Sequence, residues 1–131
     1  MSSRTDSERG SVSAFVVCLS SALVFLALLI HDTGRAIDEY ARISDVAGSA
    51  ARIGAQSITG IRAGEPHLDS WTALNGARHF LRVNGVNGRV SIDNGAVTVV
   101  TEADVQMSAL RILGVHDRHL SAVRTARLVS G

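Results

Sequence analysis

The longest apolar run in the chain lies near its N-terminus. Val12–Ile30 is a stretch of nineteen residues without a charge, and only three serines interrupt its apolar character. About 20 mostly apolar residues, each rising about 1.5 Å in a helix, cross the ~30 Å hydrocarbon layer of a bilayer. The pattern therefore predicts a transmembrane helix over residues 11–31, preceded by a polar tail over residues 1–10.

Two other interpretations of this run are weaker. A buried helix of a soluble core would need more apolar material around it than the rest of a 131-residue chain supplies. A cleavable secretory signal also begins with a basic tail, here Arg4 and Arg9, but the apolar run is longer than the usual signal core. No small-x-small cleavage pattern follows it, which favours an uncleaved anchor.

Helical periodicity continues beyond the apolar run. Apolar or small residues recur in steps of three and four, at Ala36, Tyr40, Ile43, Ala47, Ala50 and Gly54. This spacing predicts an amphipathic extension of the helix over residues 32–58, with Gly34 as the preferred place for a bend. Small residues let another backbone approach closely, so we interpret the stripe as a helix-packing interface and as a candidate assembly surface.

A small head is predicted over residues 59–131. Residues 59–67 contain the only proline of the sequence, which predicts a loop there. Leu68–Val83 returns to helical spacing, with Asp69 or Ser70 as the N-cap. Trp71 begins a W-x-x-L pattern, so we expect it to pack in the core, although an interfacial or partner-binding role is the alternative.

The last part of the chain carries the strongest hairpin pattern. Asn94-Gly95 separates two runs of alternating apolar and polar residues, which predicts two antiparallel strands joined by a tight turn. The pattern predicts one or two helical turns over Met107–Leu113, ended by Gly114, and a third strand over Leu120–Val129. The predicted fold class is α+β, with three antiparallel strands and one or two helices in the head.

Composition narrows the function without defining it. The thirteen basic residues are all arginine, scattered along the chain and nearly balanced by twelve acids, so the sequence offers no basic patch for nucleic acid. The single cysteine, Cys18, lies inside the apolar run and excludes an intramolecular disulfide. Near the two ends of the run, Arg4 and Arg9 on one side match Arg35 and Arg42 on the other, so charge alone does not orient it.

Few residues suggest chemistry. His116-Asp117-Arg118-His119 offers two imidazoles near a carboxylate, which makes His116 and His119 weak metal candidates beside the alternative of a polar connection. His31-Asp32 at the end of the apolar run is a candidate proton-sensitive pair, or simply meets headgroups and water. We find no nucleophile elbow, phosphate loop or paired carboxylates, and predict a non-enzymatic protein without a cofactor.

Two short motifs flank the apolar run. Arg9-Gly10-Ser11-Val12-Ser13-Ala14-Phe15 precedes it and Asp32-Thr33-Gly34-Arg35 follows it. With the Ala-rich helix that comes next, they resemble the TadE/TadG-like proteins of Flp (tight adherence) pilus systems, particularly the short actinobacterial ones. The segments Val97–Val105 and Leu120–Gly131, with Gly114 between them, are similar to the ending of that family.

This resemblance implies a type IV pilin-like plan and a candidate processing site between Gly10 and Ser11. Pilins carry a glutamate five residues after the cleaved glycine, and this chain has Phe15 there. An intramembrane carboxylate is therefore missing at the position where it helps to place a subunit in the fibre. We accordingly favour a minor pilin or assembly component over the main fibre subunit.

The resemblance also implies a location and partners. We expect a single-pass protein of the cytoplasmic (inner) membrane. Residues 1–10 form a cytoplasmic tail or a leader, the head is extracytoplasmic, and incorporation in a surface pilus stays open. Its expected partners are the lipid bilayer and other pilus or secretion components, in a hetero- or homo-oligomer. The alternatives are a single-pass sensor or accessory subunit whose head binds a small ligand or metal, and a membrane-tethered enzyme for which no residues can be named.

Overall fold

A computed structural model describes residues 4–59, 67–108, 110–114 and 117–127. A 52-residue helix, α1 (Arg4–Ala55), leads into a small head. The head contains β1 (Ile58–Thr59), β2 (His67–Leu68), α2 (Ser70–Val83), β3 (Asn87–Asp93), β4 (Ala96–Gln106) and β5 (Asp117–Arg127). The predicted α+β class, a long helix followed by a small antiparallel sheet and a second helix, is confirmed.

The first helix is continuous. It passes through Gly34 without interruption, and a Cβ atom placed on Gly34 would meet nothing within 4 Å. Next to it, the Thr33 hydroxyl donates to the carbonyl of Leu29 at 2.9 Å, which keeps this polar side chain within the helix. The expected bend therefore does not break the helix, and the helix ends at Ala55, three residues before its predicted end.

The three larger strands form one antiparallel sheet in the order β3-β4-β5. Asn94 and Gly95 both have positive φ, 49° and 73°, as a two-residue type I′ turn requires. The pairs Val90↔Val99 and Ile92↔Val97 then follow as the hairpin pattern predicts. The third strand is also confirmed, but β5 begins at Asp117 rather than at Leu120.

The N-cap of α2 is Asp69, as predicted. Its side-chain oxygen accepts from the backbone amides of Trp71 and Thr72, at 3.1 and 3.2 Å. The core assignment of Trp71 is wrong, because its side chain is 76% exposed. The buried face of α2 consists instead of Ala73, Ala77 and Leu81, since two alanines allow the close approach to α1 that a tryptophan would prevent.

The two helices run antiparallel. Near the end of α1, Gly54 faces the carbonyl of Ala73 at the start of α2. Farther down α1, the Arg42 guanidinium donates to the carbonyl of Asn84, just past the end of α2, at 3.4 Å. The main core lies between these helices and the inner face of the sheet, and its buried members are Ile43, Ala47, Ala50, Ala51, Ala55, Ala73, Ala77, Leu81, Val86, Val90, Val97, Val99 and Ala122.

Polar groups also join the sheet to α1. The fully buried hydroxyl of Thr101 lies 3.1 Å from the carbonyl of Ile43 and 3.3 Å from that of Ala122, and donates to this pair of acceptors. At the edge of the sheet, the Arg124 guanidinium donates to the hydroxyl of Ser44. These contacts place the head on the upper part of α1 alone.

Candidate functional site: the bare helix and its junction with the head

The N-terminal part of α1, which we call its lower part, is exposed to solvent. Residues 10–31, which we call the bare segment, are exposed at every position and carry no formal charge. Their best 18-residue window has a mean hydropathy of 2.6. Large apolar side chains surround the helix on all sides, among them Val12, Phe15, Val16, Leu19, Leu23, Val24, Leu26 and Ile30. A helix that is apolar all round and uncovered suggests membrane anchoring.

The upper part, residues 32–55, is the covered segment, and the predicted stripe of small residues lies in it. Ala47 and Ala50 are fully buried by the chain's own head. A Cβ atom on Gly54 would come within 2.9 Å of the Val97 Cγ1 atom and 3.3 Å of the Ala73 carbonyl oxygen. The packing that these residues make here is therefore intramolecular, and contact with another subunit through them would require the head to lift away.

The two lower members of the same stripe have different surroundings. Ala36 and Tyr40 line an open groove of about 320 Å³ between α1 and the segment that connects β4 to β5. Ile37 and Leu120 contribute to the same groove. The stripe is thus divided: Ile43, Ala47, Ala50 and Gly54 belong to the core, whereas Ala36 and Tyr40 remain partly open to solvent.

Asp32, the first residue of the covered segment, is hydrogen-bonded to the head. Its side chain is only 2% exposed. Oδ1 accepts from the backbone amide of Ser108 at 3.1 Å, and Oδ2 accepts from that of Leu110 at 3.3 Å. We call Asp32, Ser108 and Leu110 the Asp32 junction. A carboxylate that accepts backbone N–H groups satisfies donors at the start of a helical turn, here the 3₁₀ turn Leu110–Leu113.

The other members of the Asp-x-Gly-Arg motif have no comparable contact. Gly34 is exposed, and the exposed Arg35 lines an open cavity of about 550 Å³. In the wall of that cavity, Arg42 donates to both carboxylate oxygens of Glu39 at 2.7 and 2.9 Å. These hydrogen bonds lower the pKa of the Glu39 carboxyl and raise that of Arg42.

The histidine candidates do not form a described metal site. His119 lies on β5, and its Nδ1 atom is 2.8 Å from the Asp104 carboxylate on β4. This hydrogen bond raises the pKa of His119. His116 lies outside the described residues, and among those described no three His, Cys, Asp or Glu side chains are grouped to hold a metal. His31 is exposed and Asp32 is buried, so the two have different surroundings.

Gly10 and Ser11, the candidate processing site, are exposed and helical at the beginning of the bare segment. Phe15, which stands where pilins have a glutamate, is 67% exposed on the same segment. Cleavage between Gly10 and Ser11 stays a prediction.

Sequence reasoning missed the role of Asp32. The motif drew attention to the residue, but its two hydrogen-bond donors lie more than seventy positions away. The first residue with a formal charge after a long apolar run is ordinarily expected to meet water. Only the burial of Asp32 under the β4–β5 connection shows that it acts as an acceptor for backbone amides.

A long helix with a bare apolar half, followed by a small α+β head, defines the architecture of this protein, and the bare half suggests membrane anchoring. Residues 10–57 match the family described as putative Flp pilus-assembly TadE/G-like. The match confirms the resemblance to TadE/TadG-like proteins, and it runs from the start of the bare segment to just beyond the end of α1. No curated protein and no solved structure matches the chain.

Proposed function

We propose that the protein is a non-enzymatic minor pilin or assembly component of a Flp (Tad) pilus or a related secretion system. The family match indicates involvement in Flp pilus assembly. The observation that carries the proposal is the bare segment. Its positions are uncharged and exposed, and they directly adjoin a segment of the same helix that the head covers. In a bilayer, its large apolar side chains contact lipid or the apolar helices of other pilus components.

The proposed arrangement places the bare segment in the cytoplasmic membrane and the head on the extracytoplasmic side. Without an intramembrane carboxylate at position 15, lateral contacts in the membrane depend on apolar packing rather than on charge neutralisation. Contacts between heads are made by surfaces other than the buried part of the stripe, because Ala47, Ala50 and Gly54 are already packed against the chain's own head. This combination suits a minor component better than the repeating fibre subunit.

The test replaces Leu23 and Leu26 together by arginine in the source cells. Each arginine near the middle of a span costs about 2.5–3.5 kcal/mol of insertion free energy. We expect the variant to be lost from the carbonate-resistant membrane fraction, and the number of surface pili per cell, counted by electron microscopy, to fall to that of a deletion strain.

The matched control places the same two arginines on the head, at the exposed apolar residues Val83 and Val123. This control should keep both membrane anchorage and piliation. A deletion strain with normal pili would contradict the assembly role, and a carbonate-resistant Leu23→Arg/Leu26→Arg variant would contradict anchorage by this segment.

A further inference from the structure

The β4–β5 connection lies at the lower end of the head, beside the end of the bare segment. The Asp32 junction holds the backbone amides of Ser108 and Leu110 against α1. In a helix the Cα–Cβ bond tilts toward the N-terminus. The Asp32 side chain therefore extends toward the bare segment, and the backbone amides of Ser108 and Leu110 lie close to the level of Asp32. Leu110 also faces the next turns of α1, where Thr33 and Ala36 line the same groove.

The axial distance to the apolar surface is short. Ile30, the last residue of the apolar run, precedes Asp32 by two positions, which is about 3 Å along the helix axis. The headgroup region of a bilayer extends about 5–8 Å beyond the hydrocarbon on each side. If the bare segment spans the hydrocarbon, Ser108 and the start of the turn Leu110–Leu113 lie within the headgroup region.

The residues of the connection suit that environment. Ile112, in the 3₁₀ turn Leu110–Leu113, is 73% exposed, and its neighbour Arg111 is also exposed. Among the described residues, the Arg111 guanidinium has no carboxylate partner. An apolar side chain next to an arginine is typical of interfacial segments, where the first enters the acyl boundary and the second meets lipid phosphate.

We propose that the turn Leu110–Leu113 is a second membrane contact, which seats the head on the surface of the bilayer that α1 crosses. Ile112 enters the boundary between headgroups and acyl chains, Arg111 binds lipid phosphate, and Asp32 is the positioning residue that holds the turn at this depth. The inference rests on the proposed membrane anchorage. Two contacts with one bilayer fix the tilt of α1 and the height of the head above the membrane.

The test uses the full chain with Cys18→Ala and one new cysteine carrying an environment-sensitive fluorophore. The protein is reconstituted in vesicles of phosphatidylethanolamine and phosphatidylglycerol that contain a headgroup nitroxide quencher. Ile112→Cys is compared with Ile30→Cys at the end of the bare segment and with Val83→Cys on the head. All three native residues are exposed and apolar. We expect a blue shift and loss of fluorescence at positions 112 and 30, and neither at position 83.

The outcomes separate the two proposals. Quenching at position 30 with position 112 as unquenched as position 83 overturns the second contact alone. Absence of quenching at position 30 overturns membrane anchorage and the second contact with it. Adding Asp32→Ala should return position 112 to the unquenched state while position 30 stays quenched. Unchanged quenching at position 112 in that variant would remove Asp32 from the proposal.

Discussion

The bare and covered segments of α1 belong to one continuous helix, yet they use their side chains in opposite ways. The bare segment has large side chains such as Phe15 and Leu23 on every side, and each of its positions is exposed. The covered segment buries one face, and most of the buried side chains on it are alanine. Small side chains let a sheet and a second helix approach the backbone. Large apolar side chains on every face suit contact with lipid chains, which are fluid and fit around them.

The largest effect is expected from giving the covered segment the large residues of the bare one. Replacing Ala47, Ala50 and Gly54 together by leucine inserts side chains where the head already fills the space, at a cost of about 1–3 kcal/mol for each overpacked site. We expect the head to unfold or to melt far below the wild type. Circular dichroism of the detergent-solubilised full chain measures this.

The matched control for that triple variant is Ala41→Leu, on the exposed side of the same helix. Its melting temperature should stay close to that of the wild type. If the triple variant also melts normally, the stripe is not the packing surface of the head, and its predicted role as an intermolecular surface gains support.

The boundary between the two segments is tested by Asp32→Ala. Removing a carboxylate that accepts two backbone amides leaves those donors unsatisfied, and hydrogen bonds to a charged group contribute about 1.5–3 kcal/mol. We expect the amides of Ser108 and Leu110 to exchange hydrogen at least about tenfold faster, since 1.4 kcal/mol corresponds to a factor of ten. Hydrogen exchange followed by mass spectrometry measures the change.

Asp38→Ala removes an exposed carboxylate from the same helix and should leave exchange at Ser108 and Leu110 unchanged. Asp32→Asn, which retains one carbonyl oxygen, should give an intermediate rate. Equal exchange in Asp32→Ala and the wild type would mean that the head is held on α1 without this junction.

A smaller loss is expected at the buried polar contact between the sheet and the covered segment. Thr101→Val keeps the shape of the side chain but removes the hydroxyl that donates to the Ile43 and Ala122 carbonyls. We expect about 1 kcal/mol less stability to denaturant. Thr98→Val, which removes a partly exposed hydrogen bond to Thr125 on the outer face, should cost less. A larger loss of stability in Thr98→Val than in Thr101→Val would mean that Thr98, and not Thr101, lies on the buried face of the sheet.

The smallest effect concerns the exposed pair of Asp104 and His119 on the outer face of the sheet. The Asp104 carboxylate raises the pKa of His119 in the folded chain, so the protonated form stabilises the fold. This contribution is present below the unfolded pKa of about 6.5 and is lost as the pH rises through the raised folded value. NMR titration of His119 should give a higher pKa in the wild type than in Asp104→Asn. Equal values would mean that the pair does not form in solution.

Sequence periodicity was sufficient for the elements of this protein, because each local pattern matches one geometry. The apolar run, the steps of three and four in the covered segment and the Asn94-Gly95 turn led to the long helix and the hairpin with few errors. Trp71 was misplaced because a pattern over one helical turn does not say which face meets a neighbour. The face that packs against α1 is the one with Ala73 and Ala77, because these small side chains allow α1 to come close.

Tertiary structure alone decided what covers each part of α1. The sequence identified a stripe of small residues, and either another subunit or the chain's own head could have packed against it. Small side chains indicate that a neighbour comes close, but they do not say which neighbour it is. In the same way, a carboxylate at position 32 accepts hydrogen bonds from any donor that comes near. The fold brings Ser108 and Leu110 to it because antiparallel pairing of β4 with β5 returns their connection to the base of the head.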